Sequence, residues 1–197
     1  MINKALVSES KKLWLLKQSF VLEVSRVDDI SYCTQIQHDG FFISSETEKE
    51  HKARITNSTI FNVYEEGGQP VGLIDINREI YFPEQADNII WFDKTLKQIY
   101  FEDEKSIALH QIVVAKEHQG KGVATKLLQS AIKELSNKKI NHLFSIVTTG
   151  PVTNCPSIIW HTAMGFNRAC VTSPIDLFGL KNYTSLLFHK FIGKNNK

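Results

Sequence analysis

Residues 107–137 change period in a way that few folds accommodate. Residues 107–115 (IALHQIVVA) are strongly apolar, as expected of a strand. From Val123 onward the apolar residues are Val123, Leu127, Leu128, Ala131, Ile132 and Leu135, at spacings of 4, 1, 3, 1 and 3. That is a single stripe at the helical period, and the opposite face carries Lys126, Gln129, Lys133 and Glu134. The spacing predicts a helix over 122–137. Between strand and helix stands Gln119-Gly120-Lys121-Gly122. A strand passed to an amphipathic helix through a glycine turn is a building unit of an α/β sheet.

The turn also carries chemistry. Two glycines flanking a lysine at a helix start let several backbone N–H groups converge, and the positive end of the helix dipole adds to them. Such a turn binds anions, and glycine keeps side chains out of an approaching pyrophosphate's way. Two nucleotide motifs fail on inspection. A Walker A loop needs Ser or Thr after its Gly-Lys pair, and Lys121 is followed by Gly122. The dinucleotide pattern G-x-G-x-x-G places Thr125 where the third glycine belongs, and residues 140–149 lack its acidic residue.

The remaining chain surrounds this unit with further strands. Residues 20–26 alternate as a half-buried strand, 30–37 suit a short helix, and 46–56 are charged and helix-prone. Residues 59–64 and 70–77, joined by Glu65-Glu66-Gly67-Gly68, predict an antiparallel hairpin. Residues 78–106 interleave six aromatics with acids and resemble an insertion or long loop. Its acids suggest a border to a cleft that favours cationic acceptors, with a solvated surface loop as the alternative. Further on, 140–149 predicts a strand, 155–164 a short helix, and 166–173 and 182–191 two more strands. The expectation is one α/β domain over 1–197.

Composition excludes several classes. With 42% hydrophobic and 22% charged residues the chain can build a core. The net charge of +2 argues neither for nor against a nucleic-acid partner, but Lys and Arg form no long block, so none is expected. Cys33, Cys155 and Cys170 are far apart and odd in number, which predicts neither a disulfide framework nor a metal site. No apolar run reaches the roughly 20 residues that span a bilayer, so no membrane partner and a cytoplasmic location are expected.

Gln119, Gly122 and Ala124 fit Q-x-x-G-x-A, and here the sequence resembles the GNAT superfamily of N-acetyltransferases. A second stretch agrees. Asn154-Cys155-Pro156-Ser157, with Trp160, His161, Gly165 and Phe166, is similar to that family's closing motif. Asn154 also suits a helix N-cap and Pro156 its first turn. The resemblance implies a mixed, mainly antiparallel sheet of about seven strands with helices on both faces. It implies acetyl-CoA as co-substrate, without a metal, and a primary amine on a small molecule or peptide as acceptor. The pyrophosphate would rest on Gln119, Gly120, Lys121, Gly122, Val123, Ala124 and Thr125. The backbone of Ile112, Val113 and Val114 would hold the pantetheine arm and polarise the thioester, with Asn154 and Ser157 nearby. Family members are often dimers.

Two histidines are candidates for catalysis. His161 stands where many family members carry a tyrosine that protonates the leaving thiolate. At an unperturbed pKa only about a quarter of it is protonated at pH 7, so an acid and a packing role both stand. His110, on the strand before the turn, is a candidate base or a structural residue, with Glu102 and Glu104 as competitors. The odd step from Leu109 to Ile112 fits either a β-bulge or a strand buried on both faces. A non-catalytic acyl-CoA-binding module is the alternative function.

Overall fold

The computed structural model describes residues 58–66, 69–78, 89–151, 153–177 and 180–193. The strand expected at 20–26 and the helices at 30–37 and 46–56 lie outside the described residues. The predicted hairpin is present as β1 (Ile60–Glu66) and β2 (Gln69–Asn77), paired antiparallel.

The segment expected to be a loop is only partly one. Within it, β3 (Ile89–Trp91) and α1 (Lys94–Glu102) are regular, and Asp93 caps α1 by accepting from the Thr95 N–H at 2.8 Å. Then come β4 (Ser106–Val114), a 3-10 turn (Lys116–His118) and α2 (Val123–Asn137). They are followed by β5 (His142–Gly150), α3 (Cys155–Ala163), β6 (Asn167–Thr172), β7 (Ile175–Leu177) and β8 (Leu180–Phe191).

The sheet runs β1-β2-β4-β5-β8-β6-β3, and the unexpected short strand β7 also pairs with β8. Eight strands are thus described, against about seven expected. Every pairing is antiparallel except β4 with β5, so the mixed sheet follows expectation. One face is covered by α2 and α3. There Ile74, Ile76, Leu109, Leu143 and Phe188 bury themselves against Leu127, Leu128, Ala131 and Leu135. The other face packs Phe144, Ala169, Cys170 and Leu187 against Tyr100 of α1. The helical stripe read from the sequence is therefore the seam of the larger core.

Two irregularities shape the functional end. Ile76 pairs with Leu109 and Asp75 with Gln111, so His110 is the extra residue of a β-bulge. Of the two readings of the Leu109–Ile112 step, the bulge is the observed one. It returns Ile112 and Val114 to the α2 side. The second irregularity lies between β4 and β5. Their parallel pairing runs from Ser106↔His142 to Leu109↔Ser145 and stops there. β4 stays with β2 as far as Val114, and β5 stays with β8 as far as Gly150. The two strands splay, and a cleft opens between them.

Candidate active site

The cleft encloses about 500 Å³ and is walled by the diverging strands, the glycine turn and α3. Its floor is the bulged half of β4. Past Leu109 β4 no longer pairs with β5, and from Ile112 to Val114 it lines the cleft, where main-chain groups can meet a ligand. At the far end the chain turns through Gly120 (φ 71°) and Gly122 (φ 78°), both left-handed. An L side chain is strained in this region, which accounts for both glycines. A Cβ at either meets nothing within 4 Å, so the turn borders open space.

Gln119 Nε2 donates to Val114 O at 3.2 Å and ties the turn to the end of β4. The first main-chain bond of α2 runs from the Lys126 N–H to Gly122 O. The N–H groups of Val123, Ala124 and Thr125 precede it and belong to the unpaired first turn. A concave run of amides at the positive end of a 15-residue helix fits a pyrophosphate. The splayed strand fits an extended amide-bearing arm.

At the other wall α3 begins with Asn154, whose Oδ1 accepts from the Ser157 N–H at 3.1 Å. One turn later His161 is buried, with 2% of its surface exposed. Its Nδ1 lies 2.7 Å from Ser157 O and its Nε2 lies 2.9 Å from Ser145 Oγ. A carbonyl only accepts, so Nδ1 carries the hydrogen and Nε2 is the bare nitrogen. Ser145 Oγ–H then donates to Nε2. Phe188 stacks on the ring at 5.1 Å, and Phe166 and Trp160 meet it edge-on at 5.0 and 4.9 Å. Desolvation lowers the pKa to about 4, opposed only in part by the Ser157 backbone bond.

This burial bears on the acid role. An imidazolium donor is nearly absent at pH 7 when the pKa is about 4, so His161 is a neutral, oriented imidazole.

The cleft gathers His110, Ile112, Val113, Val114, Gln119, Gly120, Gly122, Val123, Ala124, Thr125, Asn154, Ser157 and His161. Lys121 is exposed and does not line it. Glu102 and Glu104 lie with Asp103 around a separate pocket of about 200 Å³ at the start of β4, away from the bulge. None of the described acids of 84–104 lines the cleft beside the glycine turn.

The sequence passed over Ser145 and offered Trp160 only as a motif position, and both line the cleft. A signal for Ser145 was present in β5, where a serine interrupts the inward alternation of Leu143 and Val147. Among the described residues no group of three or more His, Cys, Asp or Glu can hold a metal. No described helix is long and apolar enough to cross a membrane.

A family model described as acetyltransferase (GNAT) family matches residues 28–166. No curated protein matches the chain significantly. Several solved structures share the fold. An N-acetyltransferase from Staphylococcus aureus Mu50 is 19% identical with a TM-score of 0.55, over 76% of this chain and 79% of its own. The ribosomal-protein-S18-alanine N-acetyltransferase of Escherichia coli is 13% identical with a TM-score of 0.55, over 86% and 94%. A putative streptothricin acetyltransferase from Bacillus anthracis str. Ames, in complex with acetyl coenzyme A, is 10% identical with a TM-score of 0.51, over 68% and 62%.

Proposed function

The chain belongs to the acetyltransferase (GNAT) family, and from that premise we propose that it transfers an acetyl group from acetyl-CoA to a primary amine by direct attack. The observation that supports this reading most is the continuity of the cleft. The splayed edge of β4 leads into the left-handed glycine turn at the start of α2. In this reading the pyrophosphate binds the amides of the turn and the pantetheine lies along Ile112 to Val114. The thioester then comes to rest between Val113 and His161.

A fixed backbone N–H of β4 stabilises the oxyanion that develops when the amine attacks. The departing group is a thiolate, whose conjugate acid has a pKa of roughly 8.5 by analogy with cysteine. It can leave without a strong acid. The amine's proton passes to His110 or to water.

A binding module without catalysis is the second reading, favoured by the neutral state of His161. Release of free thiol from acetyl-CoA, followed with a panel of small-molecule and peptide amines, separates the two. Amine-dependent release supports transfer. Binding of acetyl-CoA with no release for any amine supports the module.

A further inference from the structure

We propose that Ser145 is an acyl-accepting nucleophile, so that with an acyl thioester and no amine the protein acylates this serine and then hydrolyses the ester. The proposal rests on the reading of the cleft as an acyl-CoA site and adds an activity to it.

Three groups stand in series: Ser157 O, the His161 imidazole and Ser145 Oγ, at 2.7 and 2.9 Å. The main-chain carbonyl fixes the tautomer, and the bare Nε2 faces the serine. A hydroxyl directed at an imidazole that a third group orients is the arrangement of an activated oxygen nucleophile. Here a backbone carbonyl fills the place that a carboxylate holds elsewhere. The aromatic rings on His161 keep it from turning away. Position agrees with chemistry. Ser145 is the last β5 residue paired with β4, so it stands where the strands part and lines the cleft. β4 parts from β5 at the same apex, and its next residues, Ile112 and Val113, line the cleft where an oxyanion would form.

In the first step Ser145 Oγ bonds to the thioester carbonyl carbon while its proton passes to His161 Nε2. The C–S bond breaks, and the proton moves on to the departing sulfur, giving an O-acyl serine and free thiol. Burial makes the imidazolium costly to form in the first transfer, and the second transfer, to sulfur, returns the imidazole to its neutral form. In the second step water adds to the ester, Nε2 takes a water proton and returns it to the leaving Ser145 Oγ, and the carboxylic acid departs. The sum is thioester plus water giving acid plus thiol. An amine that replaces water gives the amide.

The test incubates the full chain with acetyl-CoA and no amine, following thiol release and the mass of the Ser145 peptide. The expected product is one acetyl group that resists neutral hydroxylamine and yields to alkaline hydroxylamine, as an oxygen ester does. Thiol release should continue beyond one equivalent. Ser145→Ala should abolish the label, and His161→Gln should slow its formation by about 100-fold or more. Ser145→Cys should carry a thioester label instead, which keeps the test open if the alanine variant misfolds. Cys155→Ser should keep the label, excluding acylation of that exposed thiol.

Labelling should be flat from pH 6 to 9, because Nε2 is bare throughout, whereas adventitious lysine acetylation rises with pH. If calorimetry shows no acetyl-CoA binding, the reading of the cleft fails and takes this proposal with it. If acetyl-CoA binds and amines are acetylated, but no ester forms and Ser145→Ala releases thiol unchanged, the nucleophile is overturned and the cleft reading stands.

Discussion

His161 shows how one burial changes a residue's chemistry. In solution an imidazole is partly charged at pH 7, and the same group at 2% exposure among three aromatic rings has a pKa of about 4. No decline of amine acetylation between pH 6 and 9 should therefore trace to loss of an imidazolium. Comparison of the wild-type profile with that of His161→Gln checks this, and a falling limb present only in the wild type would overturn it. The same shift is a stability statement. The unfolded histidine titrates near 6.5, so between pH 6.5 and 4 the unfolded chain binds more protons than the folded one. Stability must fall as pH drops through that window. For His161 the loss reaches about 3 kcal/mol below pH 4. His189 adds in the same direction. Desolvation and the neighbouring His142 ring, whose Nδ1 is 3.0 Å from His189 Nε2, hold its pKa at about 4. Urea midpoints at pH 7.5 and 5 should differ, and His161→Gln should narrow the difference.

The glycine turn and the start of α3 were legible because their chemistry is local. Left-handed backbone, a helix N-cap and an amphipathic stripe are each specified within a few residues. The Ser145–His161 bond was not, because it depends on which β5 register lies beneath which turn of α3. Nor were β3 and α1, whose aromatic sequence has no clean period. Their burial is set by Phe144, Cys170 and Leu187 on distant strands. For the turn, open space around Gly122 and a φ of 78° separate strain from obstruction. Gly122→Ala should cost about 1–2 kcal/mol of stability through backbone strain alone, and Gly122→Asn less. Neither should clash. Gly122→Glu adds an anion where the pyrophosphate is proposed to lie, and should weaken acetyl-CoA binding by at least ~2 kcal/mol beyond that of Gly122→Asn. Calorimetric titration of the folded variants decides it, and equal affinities would remove the turn from the binding site.

Across the whole molecule the sheet separates two jobs. Its α2 and α3 face carries the larger core and ends in the cleft, so packing there is coupled to ligand geometry. A Cβ at Gly72 would come within 2.8 Å of Val123 Cγ1 and 3.2 Å of Leu127 Cδ1, which shows how closely α2 seats on β2 beside the turn. The α1 face carries the aromatic group of Trp91, Tyr100, Phe101 and Phe144, with Tyr100 at 4.9 Å from Phe144 and 5.0 Å from Phe101. None of these four lines the cleft. Truncation on the two faces should therefore have different signatures. Tyr100→Ala should destabilise by about 3–5 kcal/mol, the cost of removing a large buried aromatic. Its acetyl-CoA affinity, measured where the variant is still folded, should stay within about threefold of wild type, less than 1 kcal/mol. Leu127→Ala should cost about 2–5 kcal/mol and also weaken acetyl-CoA binding, because the first turn of α2 loses its seat on β2 and the amides of Val123 to Thr125 lose their aim. Paired denaturation and titration of the two variants test this. An affinity loss in Tyr100→Ala as large as in Leu127→Ala would show that the sheet transmits strain between its faces instead of insulating them.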